Sequence, residues 1–345
     1  MKKRLVTIIK ILLLLLGIPA YFAADLHYYS KQPASPSTPN TLIINVAPGQ
    51  TFQKTVKDLY QNHLINHPLK FLLMAKLQKL DRKIIAGEYA LSTDMTPVTI
   101  FEYMTKGIVR LHKLCIPEGY NLAQIAENIE KSGICSKENF INAANDAKLA
   151  ASMEIPASGF EGYLFPDTYY FSKGVPPEQI ISAMVEQFRK TFREDWKKRA
   201  AELGFTQHEI ITLASMIEKE TGVAEERAVV ASVFHNRLKQ NMRLASDPTV
   251  IYGIEDFNGN ITKADLNQLT PYNTYQINGL PPGPIANPGA ESIKAALYPA
   301  ATDYLYFVAK GDNTHYFSTS LAEHNQAVKK YQLNQGAGCT GTGRP

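Results

Sequence analysis

The spacing of apolar residues changes its period several times along the chain and predicts the elements in turn. Thr41-Leu42-Ile43-Ile44-Asn45-Val46 reads as a strand, and Ala47-Pro48-Gly49-Gln50 turns the chain. Thr51 caps a helix carrying Phe52, Val56 and Leu59, a second helix covers 68–80, a strand returns over 84–91, and a short helix covers 97–106. Leu122, Ile125, Ala126 and Ile129 then recur at helical spacing. Ser136 caps a further helix, and Pro176-Pro177 opens a long amphipathic one through Phe188 and Phe192. Thr206 and Glu209 form a capping-box signature, followed by Ile210, Ile211, Leu213, Ala214 and Ile217 on a helix that ends at Glu218 and Glu220 before Thr221-Gly222. A helix over 225–239 follows, then the turn Asp247-Pro248 and a short strand at Val250-Ile251-Tyr252.

The first residues form a different pattern. Met1-Lys2-Lys3-Arg4 is basic, and residues 5–24 are apolar apart from Thr7 and Lys10. Some 20 helical residues at ~1.5 Å each reach ~30 Å, one bilayer core. The basic flank predicts a single-pass anchor at the inner (cytoplasmic) membrane, with the N-terminus (1–4) in the cytoplasm and the rest outside. A cleaved signal peptide is the alternative, and Tyr21-Phe22-Ala23-Ala24 fits a cleavage site poorly. Residues 25–40 are rich in Ser, Pro, Gln and Asn and read as a linker, and the Gly/Thr-rich tail 336–345 as disordered.

Composition narrows the function classes. The chain has 345 residues, is 45% hydrophobic and 20% charged, and has a formal net charge of +4, so it is long enough for two globular domains or more and has no broad basic face for nucleic acid. Cys115, Cys135 and Cys339 are widely spaced and odd in number, which argues for free thiols over a Cys115–Cys135 bridge. His315 and Glu323-His324-Asn325 lack a third ligand at useful spacing, so neither a metal site nor another cofactor is expected.

The chemistry concentrates at the end of the helix beginning at Thr206. Glu218 follows Ile211 and Ala214 on their stripe, and Glu220 follows Leu213 and Met216 on theirs. A carboxylate against apolar surface is costly unless paired, protonated or used. Periodicity does not choose between the two, and a pair of solvated helix-end residues is the plainer alternative. His235 near the end of the next helix is a tempting base, although a lone histidine is more often a packing residue. A weak repeat also stands out. Val46-x-Pro48-Gly49-x-Thr51-Phe52 returns as Ile116-x-Glu118-Gly119-x-Asn121-Leu122, and each copy resembles the turn and first helix of the LysM domain, a β-α-α-β module that often binds cell-wall glycan.

Four long segments carry a larger resemblance. LASMIEKETGVAEERAVVASVFHNRL with MRLASDPTVIYG (213–253), GFEGYLFPDTYYF (159–171), NGLPPGPIANPG (278–289) and YLYFVAKGDNTHYFSTSLAEHNQAV (304–328) together resemble the YceG-like family, the endolytic murein transglycosylases. The resemblance implies that Glu218, first glutamate of the EKET motif, is the catalytic acid. It implies cleavage of the MurNAc–GlcNAc bond of nascent peptidoglycan strands without water, leaving a 1,6-anhydroMurNAc end, with peptidoglycan synthases as partners. One carboxyl then suffices, because the sugar's own C6 hydroxyl attacks where a hydrolase would need a second carboxylate.

Glu220, Asn236 and Asp247 are candidates to orient Glu218 or the N-acetyl group. Tyr163, Phe165, Tyr169, Tyr252 and Tyr272 are candidate sugar-stacking faces, with core packing the alternative for each. Asp167 lies in the same aromatic segment, and the proline-rich 281–288, which includes Asn287, reads as a rigid cleft wall. The expected fold class is α+β: a transmembrane helix, a LysM-like module with connecting helices over 41–150, and a larger mixed α+β catalytic domain over 151–335. A hydrolysing muramidase and a non-enzymatic wall-binding scaffold are the rival functions.

Overall fold

The computed structural model describes residues 2–333, with side chains from Leu15 onward. The tail 336–345, with Cys339, lies outside the described residues, as do the side chains of the first part of the apolar segment 5–24. The chain divides into two compact units: residues 1–112 with 170–174, and residues 113–169 with 175–345.

The first unit opens with helix α1 (Lys2–Ser30), which contains Pro19. Among the described residues no helix is long and apolar enough to cross a membrane. From Leu15 to Phe22 the helix exposes Leu15, Leu16, Ile18, Tyr21 and Phe22, whereas Tyr29 near its end is buried. Then come β1 (Thr41–Val46), α2 (Phe52–Gln61), α3 (Pro68–Leu77), β2 (Gly87–Ser92) and α4 (Pro97–Lys106). β1 and β2 pair antiparallel from Thr41 opposite Ser92 to Val46 opposite Gly87, giving a β-α-α-β order. Thr51 caps α2 as its sequence predicts, by accepting the Lys54 amide. Phe52, Phe71 and Phe101 meet in a three-ring cluster within a core that includes Val56, Leu59 and Ile100. Glu88 accepts from Lys173 at 2.9 Å and pairs with His112 at 2.7 Å. The bond from Lys173 leads in holding its carboxyl below the usual range.

A second two-stranded sheet pairs β3 (His112–Cys115) with β4 (Thr168–Phe171). The remaining elements are α5 (Leu122–Lys131), α6 (Lys137–Ala144), α7 (Ala147–Ser152), α8 (Pro177–Thr191), α9 (Glu194–Glu202), α10 (Gln207–Glu220), α11 (Arg227–Lys239), α12 (Asp247–Tyr252), α13 (Lys263–Asn267), α14 (Ala290–Leu297), β5 (Tyr306–Ala309), β6 (His315–Ser318) and α15 (Leu321–Val328). β5 and β6 pair antiparallel. Residues 113–150, read from the sequence with the first module, pack within this larger unit: α5 rests on α6, and α6 on α8. Cys115 and Cys135 are free.

α10 lies at the centre of the larger unit, packed on α11 and α14. Its sequence shows apolar stripes, but every residue from Ile210 to Ile217 is buried. The two polar ones are satisfied locally. Thr212 donates to the His208 carbonyl at 2.8 Å, and Ser215 to the Thr212 carbonyl at 2.7 Å while its oxygen accepts the Ile285 amide at 3.0 Å. The capping boxes at Thr206/Glu209 and Asn121/Gln124 are both closed.

Two stretches differ from their sequence reading. Residues 25–30, read as the start of a linker, continue helix α1, where Asp25 pairs with Lys70 and Tyr29 is buried. Val250-Ile251-Tyr252, expected as a strand, is the second half of helix α12. Ser246 enters it in extended conformation, Pro248 occupies the first turn, where its missing N–H costs nothing, and Thr249 bonds back to the Ser246 carbonyl at 2.6 Å. Local start chemistry outweighs the β-branched pair here.

Candidate active site

Glu218 and Glu220 end the same helix but are two residues apart, about 200° around its axis. They therefore meet different surroundings. The Glu218 side chain is only 7% exposed. Its Oε2 accepts the Gly289 amide at 2.9 Å, and its Oε1 lies 4.0 Å from Arg227 Nη2. Gly289 is the N-cap of α14, so the carboxylate rests on the positive end of that helix. Arg227 Nε is buried and without a hydrogen-bond partner among the described residues. Gly119 approaches from the other side with φ +75°, and a Cβ there would sit 3.3 Å from Glu218 Cγ. Lys219 Nζ donates to the Gly119 carbonyl at 3.3 Å. Glu118 completes the cluster. Burial pushes its carboxyl up, and the charge of Glu218 adds to the rise.

The loop that supplies Gly289 is held by Asn287, which is fully buried. Its backbone exchanges bonds with the 119–120 turn: Gly119 N–H to its carbonyl at 3.0 Å, and its own N–H to the Tyr120 carbonyl at 2.9 Å. Its side-chain Oδ1 accepts the Leu164 amide at 2.8 Å, and Nδ2 donates to the Tyr120 carbonyl and to Glu161 Oε1, both at 3.0 Å. Asn287 is thus a brace behind Glu218 and not an open cleft wall. Glu161 Oε2 accepts the Leu122 amide at 3.1 Å and the Tyr252 hydroxyl at 3.2 Å. Burial pushes the Glu161 carboxyl up to about 7 against the downward pull of these bonds. Tyr252 meets Tyr272, with ring centroids 4.8 Å apart.

Glu220 faces a separate group. Its Oε1 accepts from Ser246 Oγ at 2.5 Å, and Tyr275 donates to Asp247 Oδ1 at 2.7 Å. Burial pushes the Glu220 carboxyl up to about 7; the Ser246 bond and Arg237 oppose the rise, and Asp247 adds to it. Both acids line a cavity of about 490 Å³.

The other sequence candidates serve the scaffold. Asn236 Nδ2 donates to the Thr302 and Tyr304 carbonyls at 2.8 and 3.0 Å, fixing the chain ahead of β5. Tyr163 is fully buried, packs edge-on to Phe188, and shares a 2.8 Å hydrogen bond with His208 Nδ1. His208 Nε2 faces the Pro282 carbonyl at 3.0 Å and so carries the proton; Nδ1 then accepts from Tyr163 when the ring is neutral. Asp167 is exposed and accepts from the Thr168 amide and Gln187. Tyr169 bonds the Phe165 carbonyl at 2.6 Å. His235 is buried, bonded at 2.8 Å to the Ala296 carbonyl, with its pKa lowered mainly by burial. His315 pairs with Glu226 at 2.7 Å.

Sequence reasoning did not pick out Glu161, Arg227, Glu118 or Gly289 as parts of a site. Glu161 carries one local hint, a carboxylate between Phe160 and the buried Gly162-Tyr163-Leu164. The others are brought to Glu218 by tertiary contacts with no signature in local spacing.

Fold and site together define an α+β protein whose buried central helix ends in two carboxyls, one of them, Glu218, backed by a proline-rich loop. The chain belongs to the YceG-like family, whose profile matches residues 44–330. It is 34% identical over 319 residues to a Bacillus subtilis protein named endolytic murein transglycosylase, covering 87% of each chain. It is 28% identical over 353 residues to a protein of the same name from Streptococcus pneumoniae, covering 93% of this chain and 64% of that one. A crystal structure of a YceG-like protein from Listeria monocytogenes superposes with a TM-score of 0.58 at 35% identity, covering 84% of this chain and 99% of that one.

Proposed function

We propose that this chain is an endolytic lytic transglycosylase that cleaves the MurNAc–GlcNAc bond of peptidoglycan strands and leaves a 1,6-anhydroMurNAc end. The observation that carries the reading is Glu218: one carboxyl, almost enclosed, at the end of a buried helix, held between the Gly289 amide and Arg227. In its acid form Glu218 gives its proton to the glycosidic oxygen as the C1–O bond breaks. As carboxylate it takes the proton of the C6 hydroxyl, whose oxygen closes the new bond to C1. Atoms balance without water, and Glu218 ends as it began. Negative charge on the spent carboxylate is met by the α14 N-terminus and Arg227.

In this reading residues 5–24 form a single-pass anchor with the N-terminus in the cytoplasm and the enzyme outside. The β-α-α-β segment of 41–92 is a LysM-like glycan-binding module. The tether keeps the enzyme near strands leaving the synthases, so cleavage terminates their growth.

The test is digestion of purified peptidoglycan with product analysis by mass spectrometry, for wild type beside Glu218→Gln. Anhydro ends from wild type and none from Glu218→Gln are expected. Reducing ends in their place would make the protein a hydrolysing muramidase, and equal release by both proteins would remove Glu218 from the chemistry.

A further inference from the structure

The cavity beside Glu220 has no part in the proton transfers assigned to Glu218, yet its lining is chemically specific. Glu220 and Asp247 supply carboxyl groups, and Arg237 and His324 supply nitrogen donors. Tyr275 and Tyr306 add aromatic walls. Arg237 is the anchor. It is 9% exposed, its Nε donates to the Leu305 carbonyl at 2.7 Å and its Nη1 to the Leu244 carbonyl at 2.5 Å. Its planar head lies 5.4 Å from the Tyr306 ring centroid. Nε and Nη1 are thus both committed to carbonyls, which fixes the plane of the guanidinium at the cavity wall.

His324 stacks on the same Tyr306 ring, with centroids 5.3 Å apart, and its buried Nδ1 lacks a partner among the described residues. The carboxyl side is similarly incomplete. One oxygen of Glu220 is taken by Ser246 and one of Asp247 by Tyr275, leaving a second oxygen on each. Arg237 and Glu220 are close enough for each charge to act on the other, yet no ion pair within 4.0 Å joins Arg237 to either acid among the described residues. Opposite charges that line one cavity without pairing leave both signs to be answered by something placed between them. For Arg237, buried among these groups, a charge left unanswered is costly; Asp247 lies at the exposed side.

We propose that this cavity binds a zwitterionic peptide segment, its carboxylate held by Arg237 and His324 and its ammonium group by Glu220 and Asp247. A planar carboxylate suits a fixed guanidinium, and an ammonium group suits two converging carboxyl oxygens. The volume of about 490 Å³ admits two or three residues and excludes a folded partner. Resting on the reading of the protein as a peptidoglycan enzyme, the segment is the stem peptide that the glycan carries. Glu218 and Glu220 then divide their labour across one helix end, the first acting on the sugar bond and the second holding the peptide.

The experiment is isothermal titration of the full-length protein with a synthetic stem pentapeptide ending in D-Ala-D-Ala. The same peptide with only its amines acetylated, and the same peptide with only its carboxyl groups amidated, serve as controls. Two variants accompany wild type: Asp247→Asn removes one charge, and Leu321→Trp fills the cavity mouth from an exposed position. Circular dichroism and thermal melting establish that each is folded. Binding of the free pentapeptide is expected, weakened about tenfold or more by blocking either end group and by each variant. Absence of binding, equal binding of either blocked peptide, or binding unchanged in both variants overturns the proposal. Peptidoglycan cleavage is scored separately. Peptide binding without cleavage supports the site and removes the enzyme reading; cleavage without peptide binding removes the site and leaves the enzyme.

Discussion

Glu161→Gln tests whether a buried carboxylate away from the chemistry holds the Glu218 site together. Three donors converge on Glu161: Asn287 Nδ2 on Oε1, and the Leu122 amide and Tyr252 hydroxyl on Oε2. Glutamine keeps the shape but offers one oxygen and one NH₂ group. Whichever way it turns, at least one donor faces another, at a cost of about 1–3 kcal/mol. A second effect runs the other way. The folded protein raises this carboxyl from 4.5 to about 7, and at about 1.4 kcal/mol per pH unit that shift is worth about 3 kcal/mol. A raised folded-state pKa means that the folded protein binds the proton more tightly than the unfolded chain. The contribution is therefore complete below pH 4.5, is lost as pH rises towards 7, and is constant above it.

Urea unfolding of wild type and Glu161→Gln at intervals from pH 4.5 to 8 reads this directly. The difference between the two curves isolates Glu161, because Glu88, Glu220 and His235 titrate in both proteins. Wild type is expected to lose about 3 kcal/mol relative to the variant across that interval. Activity falls as well, since Asn287 is the brace of the loop that supplies the Gly289 amide to Glu218. Loss of one of its bonds predicts a drop in kcat of about tenfold with KM little changed. Parallel stability curves, or a gap that widens in the opposite sense, would refute the argument from burial. A variant with flattened pH dependence but full kcat would refute the link from Glu161 through Asn287 to Glu218.

Gly162→Ala is expected to destabilise the protein by about 2 kcal/mol or more, seen as a lower melting temperature. Gly162 has φ +86°, and an added Cβ would overlap Pro284 and lie 2.9 Å from Ile211 Cγ2. Tyr163→Phe removes the hydroxyl that shares a hydrogen bond with His208 Nδ1 and is expected to cost about 1 kcal/mol in urea unfolding. An unchanged midpoint would show that the ring stack with His208 and the packing on Phe188 suffice.

What could be read from the sequence was local. The capping boxes at Thr206 and Asn121 need only the next three residues, so the starts of α10 and α5 were legible. The order β1-α2-α3-β2 followed from alternating patterns separated by turn residues. Val250-Ile251-Tyr252 misled because propensity over three residues is weak beside a proline in the first turn. Glu218 and Glu220 were visible as costly carboxylates, and only the family resemblance ranked them. Asn287 was legible as part of a rigid loop but not as its brace, since its bonds reach 123 positions back to Leu164 and 126 back to Glu161. Contacts of that span leave no periodic trace.

The completely buried face of α10 explains how one helix end holds two unlike carboxyl sites. From Ile210 to Ile217 the helix has no solvent-facing side, so packing against α11 and α14 fixes both its axis and its rotation. A rotation that brought Glu220 towards Gly289 would have to move eight buried residues together. The direction of each acid is therefore a property of the core and not of its own rotamer alone. α14, which packs on α10 along its length, also begins at the amide that meets Glu218. Acid and supporting dipole are carried by two helices in direct contact, so the 2.9 Å bond between them does not depend on the course of the intervening chain. The intervening chain serves both places: it supplies Arg227 and Asn287 to the first site, and Arg237, Asp247 and Tyr275 to the second cavity.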